Sequence, residues 1–259
     1  MGATALVTGA SSGIGRAFCE VLAEHGYDLL LVARRKDMLE EVAAEAARHG
    51  VGAEIYEADL SDEGRLESLS SALAARSIDV LVNNAGIGDF GRFVETEWEV
   101  DRRMIALNVG GFTRMLHLVA AGMSRRGDGR ILNVASVAAF QPGPLMSVYY
   151  ATKAYALSLS QALAEELSHT SITVTALCPG PVRSPFHAAA GMHPEAMDSD
   201  SLPTVHEVAR YGYRAMMRGK RVAVYGLGFR LSIFVQRFLP RALVVRAVGA
   251  LQKRRMPNR

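Results

Sequence analysis

An α/β fold, a doubly wound parallel sheet with helices on both faces, is predicted by three observations. Short apolar runs alternate with longer amphipathic stretches along most of the chain. The runs lack polar–apolar alternation, as strands buried on both faces do. The first run leads directly into a glycine cluster that opens a helix. With 49% apolar and 21% charged residues in 259, the composition supports a full core and excludes long disorder, collagen and a disulfide-stapled mini-protein.

The elements follow in order. Residues 5–7 form the first strand and run into the glycines. Residues 29–33 are a continuous apolar strand, and 36–49 have helical composition. Residues 53–57 are a weak strand, 62–76 a helix and 79–82 a strand. A long helical stretch covers 95–125, a strand 130–135, a helix 147–169 and a strand 172–177. The series closes with a helix over 205–218 and a last strand over 221–225. The irregular stretch 179–203 is too long for an ordinary connection and is expected to be a lid. No repeat or linker divides the chain, so residues 1–225 are expected to be a dinucleotide-binding and catalytic domain. Residues 226–259 are then a basic amphipathic extension of that same domain.

The glycine cluster reads Thr8-Gly9-Ala10-Ser11-Ser12-Gly13-Ile14-Gly15. Glycines let a backbone turn sharply beside a pyrophosphate, and the following helix offers free N–H groups and its positive dipole end. A strand before and a helix after make this a dinucleotide loop. The second strand ends Val32-Ala33-Arg34-Arg35-Lys36, with no carboxylate to accept from a ribose 2′-hydroxyl. Asp28 stands at the wrong end of the strand. Arg34 suits a 2′-phosphate and Arg35 adds charge, so NADP is the expected cofactor.

Together these segments resemble the short-chain dehydrogenase/reductase family. The glycine loop matches that family's cofactor loop, and Asn83-Asn84-Ala85-Gly86 follows the fourth strand as there. Tyr149-Tyr150-Ala151-Thr152-Lys153 matches its Tyr-x-x-x-Lys, Ser136 lies thirteen residues earlier, and Pro179-Gly180 follows the sixth strand. The resemblance spans residues 4 to about 225. It implies a seven-stranded Rossmann-like sheet in the order 3-2-1-4-5-6-7, and a homodimer or homotetramer. It places Gly9, Ser11, Ser12, Gly13, Ile14, Gly15, Arg34 and Arg35 on the cofactor. Asp59 and Leu60 would meet the adenine, and Asn83, Ala85 and Gly86 would line the trough. Pro179, Gly180, Val182 and Ser184 complete the cofactor set; Ser184 stands where the family usually has a threonine for the nicotinamide amide. By the same resemblance Asn108 holds a water that relays protons to Lys153.

The chemistry can be read from the residues. Hydride transfer to a ketone leaves an alkoxide that needs a proton. Tyr149 supplies it, helped by Lys153, which lies four residues on and therefore on the same helix face. Lys153 also has donors left for the cofactor ribose, so both residues belong to the catalytic and cofactor sets. Tyr150 has Ala154 at the matching position and is not the acid. Ser136, at a strand end, can bond and orient the substrate oxygen. The seven histidines and two cysteines show no metal spacing, and hydrolase or phosphoryl-transfer motifs are absent. The expected activity is an NADP-dependent ketone–alcohol oxidoreductase; the alternative is a cofactor-binding sensor or scaffold without turnover. Methionines and small residues in the lid point to a hydrophobic, lipid-like substrate.

Charge is unevenly distributed. From Arg210 to Arg259 there are thirteen Lys or Arg and no Asp or Glu, so this segment is +13 and the body −10. Nucleic acid is not an expected partner. The tail mixes apolar residues with Arg230, Arg237, Arg241 and Arg246, and Pro240 should split it into two short helices. A peripheral membrane contact, a subunit contact, a flap over the substrate mouth and a simple cap on the core stay open. The N-terminus lacks a basic start and apolar run, and the two cysteines form no cluster, so a reduced, cytoplasmic setting is expected, with membrane association through the tail.

Overall fold

The computed structural model describes residues 2–192 and 201–254. Seven strands form one parallel sheet: β1 (Thr4–Thr8), β2 (Asp28–Ala33), β3 (Ala53–Glu57), β4 (Val80–Asn83), β5 (Asp128–Val134), β6 (Ser171–Cys178) and β7 (Val222–Val224). Their order is β3-β2-β1-β4-β5-β6-β7, as the resemblance implies. Register is direct, with Leu6 beside Leu30 and Leu81. Successive residues of a strand face opposite sides. Leu29 and Leu31 enter one core with Val7, Val82 and Leu132; Leu30 and Val32 enter the other with Leu6, Leu81 and Ile131. Burial on both faces explains the unbroken apolar runs.

Helices α1 (Gly13–Glu24), α2 (Lys36–Ala47) and α8 (Val205–Met217) cover the first face, through Phe18, Leu39 and Val208. Helices α3 (Glu63–Leu73), α5 (Phe112–Arg126) and α6 (Ser147–Glu166) cover the second, through Leu69, Met115 and Leu157. Cys19 and Cys178 are buried free thiols, and burial pushes both up in pKa.

The long helical stretch expected over 95–125 is subdivided. A single 3₁₀ turn (Phe93–Glu95) precedes α4 (Trp98–Ile105), and a π-helical turn (Ala106–Gly111) joins α4 to α5. Trp98–Arg126 is long and apolar enough to cross a bilayer by length and composition, yet half of its apolar window is buried, so it is a core helix. In the lid, residues Phe186–Ala189 form a short helix α7; Met197 and the acidic residues 195–200 lie outside the described residues.

The tail forms α9 (Leu227–Val235), a 3₁₀ turn (Gln236–Phe238) and α10 (Arg241–Lys253), divided at Pro240. Its ends are tied to the body. The Phe229 ring occupies the space a side chain at Gly180 would need. The Gln252 amide donates to Tyr150 Oη at 2.8 Å and meets Met146 Sδ at 3.9 Å.

Candidate active site

The C-terminal ends of the strands converge on a cleft of about 510 Å³, where ligands bind in open α/β sheets. Its inner half is the glycine loop. Gly9 has φ +68°, and a Cβ there would lie 2.7 Å from Asn84 Nδ2. A side chain at Gly15 would strike the Gly9 carbonyl. Only hydrogens fit, so the loop folds tightly onto the start of α1. That start has neither a side-chain cap nor an acidic residue in its first turn, which leaves donors and dipole for an anion. The loop is tied to the β4 end: Asn84 N and Ala85 N donate to Thr8 Oγ1 at 2.9 and 3.0 Å, and Asn84 Nδ2 donates to the Thr8 carbonyl at 2.9 Å.

Beside the end of β2, Arg35 Nη2 donates to Ser11 Oγ at 3.0 Å and Ser12 Oγ at 2.9 Å. Arg34 lies 3.6 Å from Asp59, which Arg103 reaches at 3.0 Å. Burial would raise Asp59, but bonds from Ser61 and the charge of Arg34 outweigh it and hold the carboxyl below its usual range. Arg34, Arg35, Asp59 and Leu60 all line the cleft. The cradle therefore fits a dinucleotide, with the Arg34 and Arg35 guanidinium groups and the Ser11 and Ser12 hydroxyls gathered beside the end of β2.

The outer half of the cleft holds Ser136, Tyr149 and Lys153. Ser136 caps the 3₁₀ turn after β5, accepting from Ala138 N at 3.1 Å and donating from Oγ to the Pro179 carbonyl at 3.4 Å, and it lines the cleft with Tyr149. One turn along α6, Lys153 is buried, donates from Nζ to the Val134 carbonyl at 2.8 Å and lies 5.8 Å from the Tyr149 ring centre. Burial pushes Tyr149 up to about 12, with Ser136 pulling down and Tyr150 adding to the rise. Burial likewise pushes Lys153 down to about 8.

Ser11, Ser12, Gly13, Ile14, Ala85, Gly86, Pro179, Gly180, Val182 and Ser184 also line the cleft. Three expected residues, Gly15, Asn83 and Asn108, do not line it. Asn83 is buried and donates to the Phe112 carbonyl at 2.9 Å, tying β4 to α5. Asn108 sits in the π-helical turn and bonds the Ile87 backbone and the Thr152 hydroxyl. Its Oδ1 accepts from Ile87 N at 2.9 Å, and its Nδ2 donates to Ile87 O at 2.8 Å and Thr152 Oγ1 at 3.1 Å. In this arrangement Asn108 positions the β4 loop against α6.

The outer wall joins lid residues expected to be apolar, Phe186, Ala190 and Met192, to residues that sequence reasoning missed, Met146, Phe229, Leu251 and Gln252. Phe186 stacks on Tyr149 with ring centres 5.4 Å apart, and Met146, Ala190 and Met192 form a small core beside it. Phe229, Leu251 and Gln252 of the tail line the mouth. The one signal for Gln252 was a lone amide in an apolar and basic helix.

The short chain dehydrogenase family model matches residues 3–194. Among curated proteins, very-long-chain 3-oxoacyl-CoA reductase of Laccaria bicolor is 39% identical over 178 residues, covering 67% of this chain and 53% of that protein. Mouse 17-beta-hydroxysteroid dehydrogenase type 3 is 35% identical over 190 residues, covering 72% and 62%. The chain thus spans about half the length of the first of these relatives. Among solved structures, a short-chain dehydrogenase from Sphingobium yanoikuyae in complex with NADPH superposes with a TM-score of 0.82 at 35% identity, covering 91% of this chain and 93% of the other. The bulky-bulky ketone specific alcohol dehydrogenase of Comamonas testosteroni gives 0.79 at 33% identity, covering 91% and 92%. The chain belongs to the short-chain dehydrogenase/reductase family of NAD(P)-binding oxidoreductases.

Proposed function

We propose that the protein is an NADP-dependent reductase and dehydrogenase interconverting a ketone and a secondary alcohol on a hydrophobic, lipid-like substrate. One observation carries this reading: the Tyr149–Ser136 pair with buried Lys153 lies in a cleft whose outer wall is Phe186, Met192, Phe229 and Leu251. The nicotinamide, when bound, supplies or takes the hydride. Ser136 and Tyr149 hold the substrate oxygen, and Tyr149 gives it a proton during reduction or removes one during oxidation. Lys153 favours the phenolate by charge. Arg34 and Arg35 select the 2′-phosphate. The apolar wall excludes water and suits bulky ketones; the relatives named for long acyl, steroid and bulky ketone substrates support that choice. We place the enzyme in the cytoplasm as a homodimer or homotetramer, with residues 226–259 extending the catalytic domain and touching membrane peripherally.

The test is a ketone panel followed by nicotinamide absorbance. Medium-chain, steroid or aromatic ketones should be reduced with NADPH, with kcat/KM falling at least tenfold with NADH. Turnover confined to small polar ketones, or no preference for NADPH, overturns the reading. No turnover of any ketone, with NADPH still bound, would favour the sensor.

A further inference from the structure

We propose that the tail docks the cleft mouth onto an anionic lipid bilayer, so that an apolar substrate passes between lipid and active site. The inference rests on the hydrophobic-substrate reading for its purpose, and on the tail alone for its geometry.

Helix α9 is nine residues of Leu, Gly, Phe, Arg, Ser, Ile and Val, yet its single buried residue is Ile233. Leu231 is 64% exposed, and beyond it Phe234 and Phe238 are 56% and 74% exposed with their rings 5.3 Å apart. Leu239 and Leu243 continue the exposed apolar surface across Pro240. An edge-to-face aromatic pair held in water is costly burial left undone.

Charge chooses the occupant. Arg230, Arg237, Arg241 and Arg246 interrupt this apolar surface, all exposed, and no carboxylate occurs from Arg210 to the end of the chain. A second copy would bring the same cations face to face, whereas an anionic leaflet complements them. Helices of nine and thirteen residues are too short to span the roughly 30 Å hydrocarbon core, so they lie in the interface with aromatic and leucine side chains inserted. The same two helices carry Phe229, Leu251 and Gln252 into the cleft wall. Docking the tail therefore sets the mouth beside the lipid.

The experiment is co-sedimentation of the full chain with vesicles of equal parts phosphatidylglycerol and phosphatidylcholine, and with phosphatidylcholine alone. Two variants spare the cleft lining: Phe234→Glu with Phe238→Glu, and Arg237→Gln with Arg241→Gln. The unaltered protein should pellet with the anionic vesicles at low salt and much less with neutral ones. The glutamate pair should abolish pelleting. Each cation near an anionic leaflet is worth about fivefold in partitioning, so the glutamine pair should weaken it about 30-fold. All forms should reduce a small water-soluble ketone at equal rates; failure there alone counts against the proposed activity, not the docking. The docking is overturned if the unaltered protein stays in the supernatant with anionic vesicles at low salt, or if the glutamate pair sediments unchanged. Light scattering showing that the glutamate pair turns a dimer into a monomer, without vesicle binding by either form, would assign the surface to a second copy instead.

Discussion

Tyr149 and Lys153 are two groups whose shared burial opposes both their charged forms, the phenol rising to about 12 and the ammonium falling to about 8. Reduction needs the neutral phenol and oxidation the phenolate. Ketone reduction should therefore fall, and alcohol oxidation rise, as pH climbs through the pair's apparent value; parallel profiles in both directions check this. Tyr149→Phe keeps the ring against Phe186 but removes the acid, so kcat should drop about 10²–10⁴-fold with NADPH binding intact by calorimetry. Stability carries the opposite signs. Between about 8 and the unlinked 10.5 the unfolded chain holds the Lys153 proton and the folded one does not, so Lys153 makes cofactor-free stability rise with pH there. Tyr149 works the other way from 10 to about 12, where unfolding releases its proton. Denaturation of Lys153→Met at pH 8 and 10 should show the first slope gone. These residues were legible because their chemistry needs a fixed spacing within one helix. The behaviour of Asn108 was not, since its partner Ile87 is twenty-one residues away.

Elements explain what single residues do not. The glycine loop could be read before any fold, because each glycine answers a local demand of the backbone. Gly15→Ala should push the loop off the start of α1 and cut dinucleotide affinity at least tenfold, measurable by titration. The break between α4 and α5 was hidden, because apolar periodicity runs through it and nothing in the composition marks a π-helical turn. Its purpose is visible in what it delivers: Asn108, aimed at the backbone of the β4 loop. Asn108→Ala leaves the Ile87 N–H and C=O unpartnered, a cost of about 1–3 kcal/mol each. Thermal melting should fall by about 2–4 °C per kcal/mol lost, and substrate turnover should weaken with it as the Gly86 to Gly88 wall shifts.

At the scale of the whole molecule, the parallel sheet covered on both faces followed from alternation and its strand order from the family resemblance, but the mouth did not. Gln252 meets Tyr150 across 102 residues of chain, and no local pattern can announce a contact of that span. Phe229→Ala should open the wall beside Gly180 and raise KM for a bulky ketone about tenfold or more, leaving a small ketone unaffected; steady-state kinetics with the two substrates decide it. The same long reach has a bearing on how the molecule is made. A chain emerging from the ribosome completes β7 at Val224 and with it the nucleotide cradle. The helix that carries Leu251 and Gln252 to the cleft wall follows β7 in the chain and is synthesised after it. A nascent chain halted between these points should retain an NADPH analogue and release a bulky ketone; that outcome would put cofactor loading before substrate selection during synthesis.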